Sequence, residues 1–73
     1  MVIGRWVPRK GEFAVDTTNG VAVVGEVIEA GEGGVTLSPP GGGRAWTTEE
    51  YRVPTRHEDA RARVAAATAR RLR

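Results

Sequence analysis

Apolar and polar residues alternate over short stretches in the first three quarters of the chain, and turn-forming residues separate these stretches. Strict alternation in FAVD (13–16) and VTLS (35–38) is typical of strands that bury one face, since successive side chains point to opposite sides. In the second stretch, the alternation predicts that Val35 and Leu37 point into the core. The pattern therefore favours a mainly β protein.

The segment between these two strands is longer and rich in valine, VAVVGEVIEA (21–30). Its alternation fails around Gly25, and a glycine inside a strand indicates a bulge or a sharp bend. Turn signals flank the segment on both sides, because Asn19-Gly20 and GEGG (31–34) accept the positive φ angles that tight turns need. These signals predict a long strand between two turns.

Two prolines and three glycines follow in PPGGGR (39–44). In this loop we expect the prolines to keep the backbone extended where it leaves the preceding strand, and the glycines to allow a tight reversal of the chain. After the loop, RAW (44–46) begins a further strand, TTEEY (47–51) predicts one helical turn with a capping box, and RV (52–53) closes the sheet. Five short strands, with one helical turn before the last, describe a small SH3-like barrel, whose closure removes exposed strand edges.

The last quarter of the chain has the pattern of a basic helix. Thr55 is placed to cap it, Glu58 follows three residues later, and acidic residues come before arginines, as the helix dipole favours. Because one narrow apolar ridge leaves such a helix marginal by itself, we expect it to dock on the barrel or on a partner. The ridge repeats every fourth residue and consists of Ala60, Val64, Thr68 and Leu72.

These elements divide the chain into an irregular N-terminal arm (1–12), an SH3-like barrel (13–54) and a C-terminal helix (55–73). With 73 residues, the chain has room for one small core. Its net charge of +2 is unevenly placed. Residues 1–55 carry five basic and seven acidic side chains, whereas residues 56–73 carry six basic and two acidic ones. The positive charge is therefore concentrated in the predicted helix.

Absent residue types restrict the function further. The chain has no cysteine, which excludes disulfides, thiolate metal sites and a cysteine nucleophile. No apolar run approaches the roughly 18 residues of a membrane helix, and the first residues lack the apolar core of a signal peptide. We therefore expect a soluble, cytoplasmic protein with no membrane partner.

Catalysis and cofactor binding find little support in the sequence. The one histidine, His57, lies at the start of the predicted helix, and its spacing from Ser38 gives no reason to expect a hydrolytic triad. Glu49 and Glu50 are adjacent, so they do not face one cleft as an acid–base pair. PPGGGR lacks the Gly-Lys-Ser/Thr of a phosphate-binding loop. We expect no enzymatic activity, no cofactor and no metal site.

Arg44 and Trp46 form the first candidate binding site. Two positions apart on a strand, they share a face, and tryptophan and arginine often dominate binding energy in interfaces. The competing interpretation is that Trp46 fills the core, since the chain has two tryptophans, one tyrosine and one phenylalanine. Together with the ridge residues Val64 and Leu72, these positions predict a docking surface for a larger protein or for a second copy of the chain.

The helix arginines support an alternative partner, the phosphate backbone of DNA or RNA. No asparagine or glutamine that reads bases lies on the helix, so such contact would be unselective. The net negative charge of the barrel favours a protein partner over a nucleic acid. The candidate phosphate contacts are Arg56, Arg63, Arg70, Arg71 and Arg73.

The middle of the chain carries a combined pattern: Asp16 before a turn, Val-Gly-x-Val at 24–27, and V-x-L-x-P-P-G-G-x-x-x-W at 35–46. In these features it resembles a group of small actinobacterial proteins with SH3-like barrels. The resemblance implies no particular chemistry, because no activity is assigned to that group. The segment 23–37 is also similar to KOW-type SH3-like modules of ribosomal and transcription proteins, but it is acidic where RNA-binding examples are basic.

Overall fold

The structure is a computed structural model that describes residues 6–71. In this range, one sheet of five strands precedes a single helix. The strands are β1 (Phe13–Asp16), β2 (Val23–Gly31), β3 (Gly34–Ser38), β4 (Trp46–Thr48) and β5 (Tyr51–Arg52), and the helix is α1 (Arg56–Arg71).

The strands are arranged in the order β4-β3-β2-β1-β5, and every neighbouring pair is antiparallel. Strands β1 to β4 follow each other along the sheet as they do along the chain, and β5 returns to the free edge of β1. The predicted mainly β class and the C-terminal helix are confirmed. Within residues 6–71 no backbone ladder joins β4 to β5, so the sheet is open in its hydrogen bonding.

Gly25 lies in the middle of β2, where it pairs with Ala14 in regular register. The bulge expected at this glycine is absent, and the register shift lies at Ile28 instead. A Cβ atom at Gly25 would lie 2.7 Å from Cβ of Leu37 and 2.9 Å from Cη2 of Trp46. The absence of a side chain at Gly25 therefore lets Leu37 and Trp46 pack closely against β2. The alternation of the sequence does not show this contact.

The helical turn predicted for residues 47–51 is wrong. Strand β4 continues to Thr48, a bend at Glu49 follows, and β5 begins at Tyr51. The buried hydroxyl of Thr48 accepts a hydrogen bond from the backbone N–H of Glu50 at 3.1 Å. Because this side chain satisfies the backbone at the turn, a helical hydrogen bond is not required there.

The two faces of the sheet contribute to two separate apolar clusters. On one face, Trp6 of the N-terminal arm packs over the buried residues, with its ring centroid 6.1 Å from that of Tyr51. This cluster contains buried Ala14, Val27, Val35 and Leu37, with half-buried Trp6, Trp46 and Tyr51 around them. The predicted inward orientation of Val35 and Leu37 is confirmed. The cluster on the opposite face joins sheet and helix and contains Phe13, Ala62 and Ala66, with Val24 packed against them.

Polar contacts hold α1 to the sheet near both of its ends. The predicted cap is confirmed, because the N–H of Glu58 donates to Oγ1 of Thr55 at 3.1 Å and the N–H of Thr55 donates to Oε1 of Glu58 at 2.8 Å. The guanidinium of Arg52 in β5 donates to both oxygens of Glu58 at 2.8 and 2.9 Å. Near the other end of α1, Arg70 lies 3.9 Å from the carboxylate of Glu26 in β2.

Glu58 is thus the main polar link between helix and sheet. The hydrogen bonds from Arg52, followed by the N–H of Thr55, outweigh partial burial and lower the pKa of Glu58 from 4.5 to about 2. We expect Glu58→Gln to lower the melting temperature at pH 7, because the neutral amide loses the ion pair. The folded-state pKa lies below the ordinary value, so this stabilisation is present above pH 4.5 and disappears as the pH falls toward 2.

Thermal melts of wild type and Glu58→Gln between pH 7 and pH 2 test this prediction. The two melting temperatures should differ at pH 7 and converge in acid. Asp59→Asn is a suitable control, since Asp59 also lies in the first turn of α1 but its ion pair in the described part of the chain is with Arg63 of the same helix, at 2.7 Å. An equal effect of both substitutions would show that the link to the sheet contributes no more than an ion pair within the helix.

Candidate interaction surface

At the end of β1, the carboxylate of Asp16 connects β1 to β4. Its Oδ2 accepts a hydrogen bond from the indole N–H of Trp46 at 2.8 Å, and its Oδ1 accepts one from the hydroxyl of Thr48 at 3.0 Å. The N–H and the hydroxyl of Thr18 also donate to Oδ1, at 2.9 and 2.6 Å. Burial alone raises the pKa of Asp16, but these hydrogen bonds outweigh burial and lower the pKa to about 2.

These contacts show that the sheet is strongly curled. Strands β1 and β4 are separated by β2 and β3, and a flat sheet would hold them roughly 14 Å apart. Instead, their side chains are in hydrogen-bonding contact across one face. Sequence reasoning did not identify Asp16 as the partner of Trp46. The aspartate before a turn was the only signal of its importance.

The two residues of the first candidate site are placed differently. Trp46 is half-buried, packs against the core cluster and donates its indole N–H to Asp16. Arg44 is exposed and lies in the loop before β4, which begins at Trp46. Because Arg44 lies outside the strand, the rule that residues two positions apart share a face does not apply to this pair. Their joint role in binding stays a prediction.

Helix α1 contacts the sheet through a different face from the predicted ridge. Ala62 and Ala66 are buried, whereas Val64 is 66% exposed. With 3.6 residues per turn, Val64 lies about 180° from the middle of the buried face. Ala60 and Thr68 of the ridge are also exposed, and Leu72 lies outside the described residues. The ridge is therefore free of the sheet along its described length.

Exposed arginines surround Val64 on this outward side. Arg56, Arg61 and Arg71 lie within about 80° of Val64 around the helix axis, and none of them has a carboxylate partner within residues 6–71. We call this area the helix outer surface, and it consists of Arg56, Ala60, Arg61, Val64 and Arg71. It combines an apolar centre with uncompensated positive charge.

The predicted phosphate contacts do not share one environment. Arg63 donates to Asp59 at 2.7 Å, and Arg70 lies 3.9 Å from Glu26, so both already face a carboxylate. Arg56 and Arg71 are exposed, and Arg73 lies outside the described residues. No helix in the described range is long and apolar enough to cross a bilayer.

The groups considered for catalysis are not brought together. His57 and Ser38 line two different shallow cavities beside the helix, with Pro40 between them. In the part of the chain from Trp6 to Arg71, no three side chains of histidine, aspartate or glutamate are grouped so as to hold a metal ion. The expectations of no enzyme activity and no cofactor stay predictions.

The Pro-Gly loop lies beside the helix. Pro40 lines one cavity with Ala62, and it lines a second one, together with Pro39, that includes Ala66. The reversal is made by Gly42, whose φ is +95° and whose N–H donates to the carbonyl of Pro39 at 2.9 Å. The loop thus lies beside the face of α1 that packs on the sheet. Its sequence did not indicate this position.

Comparison with protein families, with curated proteins and with solved structures found no match to the chain. The resemblance to small actinobacterial proteins and to KOW-type modules therefore stays a prediction.

Proposed function

We propose that this protein is a small docking module whose helix outer surface binds an acidic surface on a protein partner. One observation carries the proposal: α1 packs on the sheet through Ala62 and Ala66, whereas Val64 on the opposite side of the helix is 66% exposed and has exposed arginines beside it. The sheet holds the helix in place, and the side chains opposite the sheet are available to a partner.

The chemistry of this surface suits a protein interface. Interfaces combine an apolar centre with a polar rim, and arginine is enriched in them because its guanidinium is weakly hydrated and binds carboxylates in a bidentate manner. Val64 supplies the centre, and the arginines supply the rim. Uncompensated positive charge also accelerates encounters with an acidic partner.

We further propose that the curled sheet is an SH3-like barrel. The strand order and the side-chain bridge from Asp16 to Trp46 and Thr48 support this assignment. In such a barrel, Trp46 is a packing residue and the helix is the more accessible of the two predicted binding sites. The cytoplasm remains the proposed location.

Val64→Asp tests the docking function. The tagged protein is expressed in the cells that naturally contain it, and captured partners are quantified by mass spectrometry. We expect Val64→Asp to reduce capture of the specific partner about tenfold or more, since the carboxylate removes the apolar centre of the interface, pairs with the neighbouring arginines and repels an acidic partner. Val21→Asp is the matched control, because Val21 is 65% exposed and lies before β2.

The proposal predicts full capture by Val21→Asp. Equal capture by both variants would contradict docking through the helix outer surface. Circular dichroism of both variants shows whether they fold, and only folded variants are compared.

The alternative is binding of nucleic-acid phosphates, favoured because Arg56 and Arg71 have no carboxylate partner among residues 6–71. Against it, Arg63 and Arg70 already face carboxylates, and separating them from these partners costs binding energy. Fluorescence anisotropy with a labelled duplex distinguishes the two. Affinity that falls steeply with salt and disappears in an Arg56→Glu, Arg71→Glu variant would favour the nucleic acid.

A further inference from the structure

The turn between β1 and β2 contains an asparagine to which the proposed function gives no role. The sequence has a single asparagine, Asn19, and no glutamine, and Gly20 follows Asn19 directly. The side chain of Asn19 is exposed, and within residues 6–71 no hydrogen bond holds its amide group. These are the surroundings in which the side chain of an asparagine reacts with its own backbone.

Asparagine is a thermally labile residue because its amide group can be lost as ammonia. The backbone nitrogen of the next residue gives its proton to hydroxide or water and attacks the side-chain Cγ. The new bond between nitrogen and Cγ closes a five-membered succinimide ring, and the bond from Cγ to the amide nitrogen breaks as that nitrogen takes up a proton and leaves as ammonia. Water then opens the ring at either carbonyl, which gives aspartate or isoaspartate. Glycine hinders this attack least, because it has no Cβ.

The fold leaves Gly20 open to this reaction. A Cβ atom built on Gly20 would meet no atom within 4 Å, so the space beside its Cα is empty. The N–H of Gly20 donates to the carbonyl of Thr17 at 3.2 Å, which is at the long end of the usual range. This hydrogen bond has to open before the nitrogen attacks. Since a neutral hydrogen bond contributes little net stability, its opening slows the reaction only about fivefold relative to the unfolded chain.

We propose that Asn19 is a site of spontaneous deamidation, at which the folded protein converts to aspartate and isoaspartate forms with time. Water is the only co-reactant. The conversion lowers the net charge from +2 to +1, because a neutral amide becomes a carboxylate. The proposal is independent of docking through the helix outer surface.

The isoaspartate form also changes the backbone beside the bridge that Asp16 makes to β4. In this form the main chain passes through Cγ, so it gains one atom between residues 19 and 20. The turn is fixed before this bond, because the N–H and the hydroxyl of Thr18 donate to Asp16 at 2.9 and 2.6 Å. It is fixed after this bond as well, because Val23 pairs with Asp16 in the sheet. We therefore expect the isoaspartate form to melt at a lower temperature than the aspartate form.

Incubation of the purified full chain at mildly alkaline pH tests the proposal. Intact mass spectrometry and ion-exchange chromatography follow the loss of ammonia, and no other asparagine or glutamine contributes to the signal. The same chain unfolded in guanidinium chloride gives the reference rate. We expect the folded protein to convert at a rate within about tenfold of the reference and to contain both aspartate and isoaspartate.

Three variants serve as controls. Asn19→Gln keeps an amide but needs a larger ring, so it should release no ammonia in the same period. Gly20→Ala places a Cβ beside the attacking nitrogen and should slow the conversion. Because the φ of Gly20 is +76°, circular dichroism has to show that this variant folds. Asn19→Asp provides the aspartate form for comparison of melting temperatures.

Three outcomes would contradict these expectations. A folded wild type that keeps its mass while the unfolded chain converts completely would overturn the proposal. Conversion to aspartate without isoaspartate would also overturn it, because direct hydrolysis of the amide then replaces the succinimide, and this result needs no variant that folds. Equal melting temperatures of the isoaspartate form and of Asn19→Asp would show that the turn accommodates the extra backbone atom.

Discussion

Gly25→Ala is expected to lower the free energy of unfolding by about 2 kcal/mol, within the range for overpacked cores. Its Cβ would lie 2.7 Å from Cβ of Leu37, closer than real Cβ contacts, and 2.9 Å from the ring of Trp46. Leu37 is fully buried and its Cβ is fixed to the backbone, so Trp46 or the strand has to move. A domain of this size has a total stability of roughly 4–11 kcal/mol, which makes the loss a large one.

Thermal unfolding followed by circular dichroism measures this effect. A loss of about 2 kcal/mol corresponds to a melting temperature lower by roughly 8–16 °C in a domain of this size. Gly31→Ala is the matched control, because Gly31 lies in the same strand and an added Cβ there meets no atom within 4 Å. Equal melting temperatures of wild type and Gly25→Ala would show that the sheet accommodates the methyl group.

Asp16→Asn is expected to destabilise the protein by about 1.5–2 kcal/mol at neutral pH. Hydrogen bonds to a charged group contribute more than neutral ones, and we take the lower part of their range because Asp16 is partly exposed. Asparagine retains one acceptor oxygen. The amide nitrogen that replaces the second carboxylate oxygen cannot accept a hydrogen bond. The donors at Trp46, Thr48 and Thr18 then compete for a single oxygen.

The pH dependence gives this prediction a second test. The pKa of Asp16 is about 2 in the folded protein, against 3.8 as its ordinary value. A lowered pKa stabilises the fold above pH 4, and the stabilisation disappears as the pH falls toward 2. The difference in unfolding free energy between wild type and Asp16→Asn should therefore be largest at pH 5–7 and shrink below pH 4.

Urea unfolding at a series of pH values measures this difference. Glu32→Gln is the control, because Glu32 is exposed in the turn between β2 and β3 and has no ion-pair partner among residues 6–71. A difference between wild type and Asp16→Asn that is constant from pH 7 to pH 2 would mean that the charge of Asp16 contributes nothing.

The predictions that were confirmed depend on residues that lie close together in the sequence. The inward positions of Val35 and Leu37 follow from alternation alone, and the cap formed by Thr55 and Glu58 follows from their spacing. The helical turn predicted for residues 47–51 is wrong because Thr48 bonds to the backbone of Glu50 and β4 pairs with β3, whose paired residues lie 9 to 13 positions earlier in the chain. Local spacing contains no information on that pairing.

The candidate site was predictable only in part. The sequence placed Val64 on an apolar ridge and concentrated arginines on the same helix. It did not show that Ala62 and Ala66 take the sheet contact, because alanines occur all round this helix and each fits a close contact. Which face docks depends on Phe13 and Val24, which lie far away in the sequence.

The sequence by itself determined the mainly β class, most of the strands and turns, the cap of the helix and its positive charge. These properties depend on side-chain period, φ preference and the hydrogen bonds of residues three or four apart. Three features were decided by the tertiary structure alone. They are the hydrogen bond from Trp46 to Asp16, the packing of the Trp46 ring against Gly25, and the side of α1 that faces solvent. Those outcomes depend on contacts between residues about 20 to 50 positions apart, whose geometry exists only once the sheet has curled.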